Sequence, residues 1–207
     1  MRNCFQSLER VVQGALLKLI LEVYGENRMK KLLFVLAIAC CSSLISIAQD
    51  DNPLTLRATL RGDNEVPPIN TPATGDFKAT QNADGTFNFT LTFANLKANL
   101  FVAHFHFAPK HVAGAVMIFL CGGDSQLACP SATSGTITGT FGPANVVCTG
   151  CTPTNPAGQG IAAGDFASAL EAILEGNSYV NMHTATPTGF PGGEIRGQVS
   201  VSHGDND

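Results

Sequence analysis

The chain has 207 residues, 21 of them Gly and 13 Phe, with no Trp and only 2 Tyr. That length suits a single domain with a proper core once a leader is removed, and the Gly, Thr, Ala, Val and Phe content suits short strands joined by many turns. From Gln49 onward six Lys and Arg face thirteen Asp and Glu, which argues against a nucleic-acid partner, while the other six basic residues sit in the leader.

Residues 29–48 read MKKLLFVLAIACCSSLISIA: a basic start at Lys30 and Lys31, an apolar run from Leu32, and the small-x-small site Ser46-Ile47-Ala48. This pattern predicts a secretory signal peptide, and hence a secreted or periplasmic product. A membrane span is disfavoured, because serines at 42, 43 and 46 interrupt a run shorter than the roughly 20 apolar residues a span needs. Residues 1–28 precede the signal, and the expected explanation is that translation begins at Met29. Ala37-Ile38-Ala39-Cys40 offers an alternative in which Cys40 is acylated and tethers the product to a membrane.

The body, 49–207, alternates in short units. Strands are expected at 54–60, 76–80, 86–93, 101–107, 115–120, 134–141, 178–184 and 193–201, separated mostly by turn chemistry. In TFNFTLTF, Phe87, Phe89, Leu91 and Phe93 share one face and the Thr and Asn residues the other, the pattern of a strand buried on one side. Asp84-Gly85 just before it marks a hairpin. Asp165 followed by FASALEAILEG predicts one short helix near 165–175, capped by Asp165, stopped at Gly176 and packing through Phe166, Leu170, Ile173 and Leu174. The fold class is therefore all-β, an antiparallel β-sandwich of Greek-key type or a small barrel, with one helix.

Four cysteines remain in the body: Cys121, Cys129, Cys148 and Cys151. An even set in an exported chain predicts two disulfides, with nearest-neighbour pairing favoured among three possible schemes. Cys148-Thr-Gly-Cys151 has the spacing of a zinc knuckle, but Cys121 and Cys129 are too far apart to form its second half.

His104-Phe105-His106 places two imidazoles on one face of a strand, and His183 stands on another strand where it could complete a metal site for copper or zinc. The competing expectation is that the histidines are structural, each bonded to a backbone carbonyl or carboxylate. Glu194 and Arg196 are expected to form a structural ion pair, or Arg196 to reach a loop carboxylate such as Asp63 or Glu65. No phosphate loop, nucleophile elbow or HExxH occurs, and nothing in the spacing makes a Ser-His-Asp triad, so no catalytic residues are assigned.

Three ordered blocks resemble the chordin-type, or CHRD, domain family over roughly 54–201: GDNEVPP with Thr74-Gly75, AHFH at 103–106, and YVNMHT followed by PGGEIRGQ at 179–198. The resemblance implies an extracellular β-sandwich without established enzymatic activity. Relative to the compact family pattern, 121–154 with its four cysteines reads as a variable insertion, so its disulfides are not inherited from the likeness. The expectation is an exported, non-catalytic domain that meets a protein or surface ligand outside the cytoplasm. The alternative is a copper- or zinc-binding or redox protein using His104, His106 and His183.

Overall fold

The computed structural model describes residues 53–123 and 126–203. The upstream stretch 1–28, the signal at 29–48 and Cys40 lie outside the described residues. Among the described residues nine strands form one antiparallel sheet: β1 (Leu54–Arg61), β2 (Thr74–Gln81), β3 (Phe87–Ala94), β4 (Leu100–Phe107), β5 (Ala115–Cys121), β6 (Gly135–Phe141), β7 (Ser178–Thr184), β8 (Ile195–Gln198) and β9 (Ser200–His203). Their order is β5-β4-β7-β8-β1-β2-β3-β6, with β9 also on β1. The sheet curls until its ends nearly meet, so the expected all-β fold takes the form of a nearly closed barrel. Across the seam, the segment after β6 joins β5 through the Val146–Ile118 bridge and the Val147 N–H, which donates to the Met117 carbonyl at 3.0 Å.

Alternation fills the barrel. Leu56, Ala58 and Leu60 of β1, Phe77 and Ala79 of β2, the four apolar residues of β3, Ala103 and Phe105 of β4, and Val180 and Met182 of β7 are all buried. Without tryptophan, stacked phenylalanines supply the bulk: Phe87 lies flat on Phe141 with centroids 5.2 Å apart, and Phe141 reaches Phe105 at 5.3 Å. Gly139 of β6 makes room for the Phe89 ring opposite it, since a Cβ there would sit 2.8 Å from that ring.

The hairpin between β2 and β3 forms where Asp84-Gly85 predicts it. Gly85 has φ +86°, and the Asp84 carboxylate accepts from the Thr86 N–H at 3.0 Å and its hydroxyl. The helix, α1 (Phe166–Leu174), is capped by Asp165, which accepts from the Ser168 N–H at 3.1 Å. Its packing face is shifted from expectation. Ala169, Ala172 and Ile173 are buried and Phe166 meets Phe87 and Phe141, but Leu174, turned about 100° round the helix from Ile173, is 47% exposed.

The last expected strand breaks in two. Val199 donates its N–H to Ser178, after which the chain leaves β7 and runs along Leu54–Arg57 of β1 as β9. Within 121–154, β6 pairs with β3 along its whole length. Cys121 and Cys129, and Cys148 and Cys151, lie at disulfide distance with Cα separations of 5.0 and 5.5 Å, the nearest-neighbour pairing; no described cysteine belongs to a metal cluster.

No helix among the described residues is long and apolar enough to cross a membrane. Phe141 contacts rings from three other elements and is fully buried. Phe141→Ala is therefore expected to lower stability by about 3–5 kcal/mol. Urea unfolding of the two proteins checks this, and a loss below about 1 kcal/mol would contradict the packing described.

Candidate functional site

The outer face of β4, β7 and β8 carries polar residues in adjacent rows. His104 pairs with Asn181 and Asn181 with Arg196; His106 pairs with Tyr179 and Tyr179 with Gln198; Val102 pairs with His183. Residues opposite one another across a ladder project to the same side, so these form one surface while Ala103, Phe105, Val180 and Met182 fill the core behind it. A register shift between Leu100 and Val102 leaves Phe101 outside the ladder and 61% exposed. That bulge lets Leu100 remain buried while His104 and His106 emerge on the outer face.

Three imidazoles converge there. One ring nitrogen from each of His104, His106 and His183 lies within 4.8 Å of the others. Centroid separations are 4.5 Å from His104 to His106, 4.6 Å from His104 to His183 and 6.2 Å from His106 to His183. His106 Nδ1 lies 2.8 Å from the Gly114 carbonyl and His183 Nδ1 lies 2.8 Å from the Pro191 carbonyl. A carbonyl only accepts, so both Nδ1 atoms carry the proton and both Nε2 atoms keep a lone pair. His104 is 4% exposed and its Nδ1 has no partner, as is true of the buried Nε2 of His183.

Burial pushes His104 down to about 2, helped by the neighbouring imidazoles of His106 and His183, and pushes His106 down to about 4. Burial also lowers His183, against the bond to Pro191. All three rings are thus neutral near pH 7 and present nitrogen lone pairs.

Beside the imidazoles lies a second group. Tyr179 stacks on His106 with centroids 4.6 Å apart and planes 9° from parallel, and the Arg196 guanidinium sits 3.3 Å from the Tyr179 ring centre. The Tyr179 hydroxyl accepts from the Gly114 N–H at 3.2 Å, and Arg196 donates to the Pro109 carbonyl at 3.2 Å. Glu65, reached from the loop after β1, accepts from the Asn181 amide at 2.6 Å. Burial pushes its carboxyl up to about 7, opposed by the Asn181 bond and the Arg196 charge.

The expected pair between Glu194 and Arg196 gives way to two separate sets of partners. Glu194 is fully buried, and its carboxylate accepts from the Thr71 hydroxyl at 2.7 Å, the Thr184 hydroxyl at 2.7 Å and the Lys97 N–H at 2.9 and 3.1 Å. Arg196, one side of the strand away, answers to Tyr179, Pro109 and the charge of Glu65, one of the two loop carboxylates considered for it. Spacing by two puts residues on one face only when both lie in the strand. Glu194 precedes β8 and follows Gly193, whose φ of +120° turns the chain.

Reading from sequence missed Tyr179, Asn181 and Gln198 as members of this face. The signal was present: in SYVNMHT they alternate with core residues in phase with His183, as Gln198 does with Arg196. Among the described residues, four of the five buried side-chain atoms without a partner, His104 Nδ1, Asn181 Oδ1, His183 Nε2 and Gln198 Oε1, lie on this one face; the fifth is Ser178 Oγ, in phase with the core residues of β7.

Fold and site together define a small antiparallel β-barrel domain, stapled at two cysteine pairs, with a polar, imidazole-bearing patch on its outer wall. The family model of the CHRD domain matches residues 56–199, and the chain belongs to that family. No curated protein and no solved structure matches it.

The Glu65 carboxyl predicts a pH dependence. Between its ordinary value of 4.5 and about 7 the folded chain holds a proton that the unfolded chain has released. Its contribution is therefore full below about pH 4.5 and is lost as pH rises through 7, by roughly 3 kcal/mol. Glu65→Gln removes that slope; the histidines are present in both chains, and Tyr179, pushed up from 10.0 by burial and in part by the Glu65 charge, titrates above the range compared. The stability difference between native and variant chains, measured by urea unfolding, should shift by that amount between pH 5 and 8; an unchanged difference would mean that the carboxyl titrates normally.

Proposed function

We propose that this CHRD domain is exported and acts outside the cytoplasm as a binding module rather than a catalyst, with the outer face of β4, β7 and β8 as its binding surface. The observation that carries this reading is the gathering of unpartnered buried atoms from His104, Asn181, His183 and Gln198 on that one face. A buried polar atom left without a partner costs about 1–3 kcal/mol, and folded chains avoid such atoms except where a ligand or water completes them. Several on one surface mark a place made to be completed.

Export is supported by the leader composition at 29–48 and by two cysteine pairs at disulfide distance, which persist in oxidising compartments. The binding role is supported by how the reactive groups of the face are occupied. The Tyr179 hydroxyl is engaged with Gly114, and the Nδ1 atoms of His106 and His183 are tied to carbonyls. Among the described residues, no hydroxyl or thiol is bonded to an imidazole in the arrangement that nucleophilic catalysis uses.

Expression of the full sequence in a bacterial host, followed by fractionation and mass spectrometry of the N-terminus, tests the first half. The expected product begins at Gln49 outside the cytoplasm. An acylated Cys40 would indicate anchoring in place of release, and an unprocessed cytoplasmic chain would refute export. For the second half, a panel of hydrolytic and redox substrates should show no turnover; specific turnover abolished by His106→Ala would overturn the binding reading.

A further inference from the structure

We propose that His104, His106 and His183 form a three-imidazole site for one copper or zinc ion on the outer wall of the barrel, with copper held more tightly. The inference rests on the reading of this face as the binding surface and names what that surface takes.

Four observations carry it. First, the three nitrogens lie within 4.8 Å of one another. Nitrogens sharing one zinc or copper ion at about 2.0–2.1 Å stand roughly 3.4 Å apart, so side-chain adjustments on the order of 1 Å complete the site. Second, His106 and His183 each give their Nδ1–H to a loop carbonyl at 2.8 Å. Metal-binding imidazoles are ordinarily held this way, the bond on one nitrogen fixing the tautomer that leaves the other bare.

Third, the bare nitrogens are not satisfied by one another or by any other group: His104 Nδ1 and His183 Nε2 are buried without partners. Histidines serving only as structural fixings would direct both nitrogens at protein groups, whereas one ring nitrogen of each of these converges on the other two. Fourth, the donor set is all imidazole. Glu65, whose partner Asn181 stands opposite His104, is engaged with that amide rather than with a histidine. Magnesium and calcium require oxygen donors; imidazoles suit copper and zinc, and the general order of affinities puts copper above zinc.

Three protein ligands leave a fourth position for a water or an outside group, the arrangement of ligand-exchanging rather than closed structural sites. The walls are set by neighbours that do not ligate. Phe119 lies edge-on to His104 with centroids 5.4 Å apart, and Tyr179 covers His106. Tyr179 is itself clamped between Arg196 and His106 and tied to Gly114, the residue whose carbonyl orients His106. One turn of backbone at Gly114 thus positions both a ligand and the ring that packs on it.

The test uses the full chain expressed with its own leader and purified without a polyhistidine tag. After chelator treatment, the chain is titrated with Cu(II), Zn(II), Mg(II) and Ca(II), with bound metal read by elemental analysis and folding by circular dichroism. The expected result is one copper or one zinc per chain, copper displacing zinc, and no uptake of magnesium or calcium. His106→Gln and His183→Gln should each weaken copper binding by 100-fold or more while retaining native circular dichroism, and His111→Asn, at an exposed histidine outside the cluster, should leave it unchanged.

Paramagnetic resonance of the copper-loaded chain should resolve three coupled ring nitrogens, falling to two in either variant that still binds at high metal. Because His104 is buried, His104→Gln is informative only alongside its unfolding curve, so the proposal is judged on the other two positions. Uptake below a tenth of an ion per chain, affinity unchanged in both His106→Gln and His183→Gln, or preference for magnesium or calcium would overturn it. An exported, folded chain that takes up no ion would overturn the metal alone, whereas failure of export or specific turnover would strike the functional reading beneath it.

Discussion

The carboxylate of Glu194 is the constraint on which the outer face depends. Buried completely, it draws hydrogen bonds from Thr71 in the β1–β2 connection, from the Lys97 backbone between β3 and β4, and from Thr184 at the end of β7. Thr184 passes the bond on, its hydroxyl accepting from the Phe190 N–H at 2.8 Å. The Pro191 carbonyl that orients His183 is the next residue along. Three loops and one strand end are thus held by a single acidic group whose donors are all neutral. Each donor meets an acceptor lone pair that burial would otherwise leave bare, and an unmet buried acceptor is costly.

The barrel wall does two jobs with one alternation. Inward residues of β4 and β7 complete a phenylalanine-rich core, while outward residues carry imidazole, amide and phenol groups. Groups mounted on paired strands cannot drift as loop residues can, and their neighbours in the ladder fix the spacing between rows. The loops contribute acceptors and cover: Pro109 to Arg196, Gly114 to His106, Pro191 to His183. Side chains come from the rigid wall and their orientation from the loops.

Period-two alternation made β3 and β4 legible in sequence, as Asp165 did the start of the helix and Asp84-Gly85 the hairpin, because each is decided by residues within one element. Spacing of the cysteines likewise favoured the local pairing now seen. What depends on more than one element was not legible. His104 and His106 share a face by spacing alone, but His183 comes beside them through the register in which β4 pairs with β7, setting it opposite Val102, and neither strand's own sequence marks that register. Glu194 and Arg196 looked like partners because strand spacing was extended one residue past the strand; the turn at Gly193 sends one inward and leaves the other on the outer face. Leu174 looked like a packing residue because it continues the four-residue spacing of Phe166 and Leu170, whereas the buried stripe runs through Ala169, Ala172 and Ile173.

Placing an imidazole cluster outside a packed barrel, and not within it, separates two demands that would otherwise conflict. The core needs apolar side chains that fit closely, and removing even one ring from it costs several kcal/mol. A site that must exchange a ligand needs polar atoms, room and a path to solvent. Here His104 is nearly as buried as the core, yet His106 and His183 are only half-buried, so the cluster grades from the wall toward water. Glu65, Asn181, Tyr179 and Arg196 beside it are themselves buried, each bonded to or stacked on another, so that three ring nitrogens can converge without unsettling the barrel behind them. The stability of the domain is supplied by phenylalanines facing inward, which frees the outer face to carry unsatisfied groups.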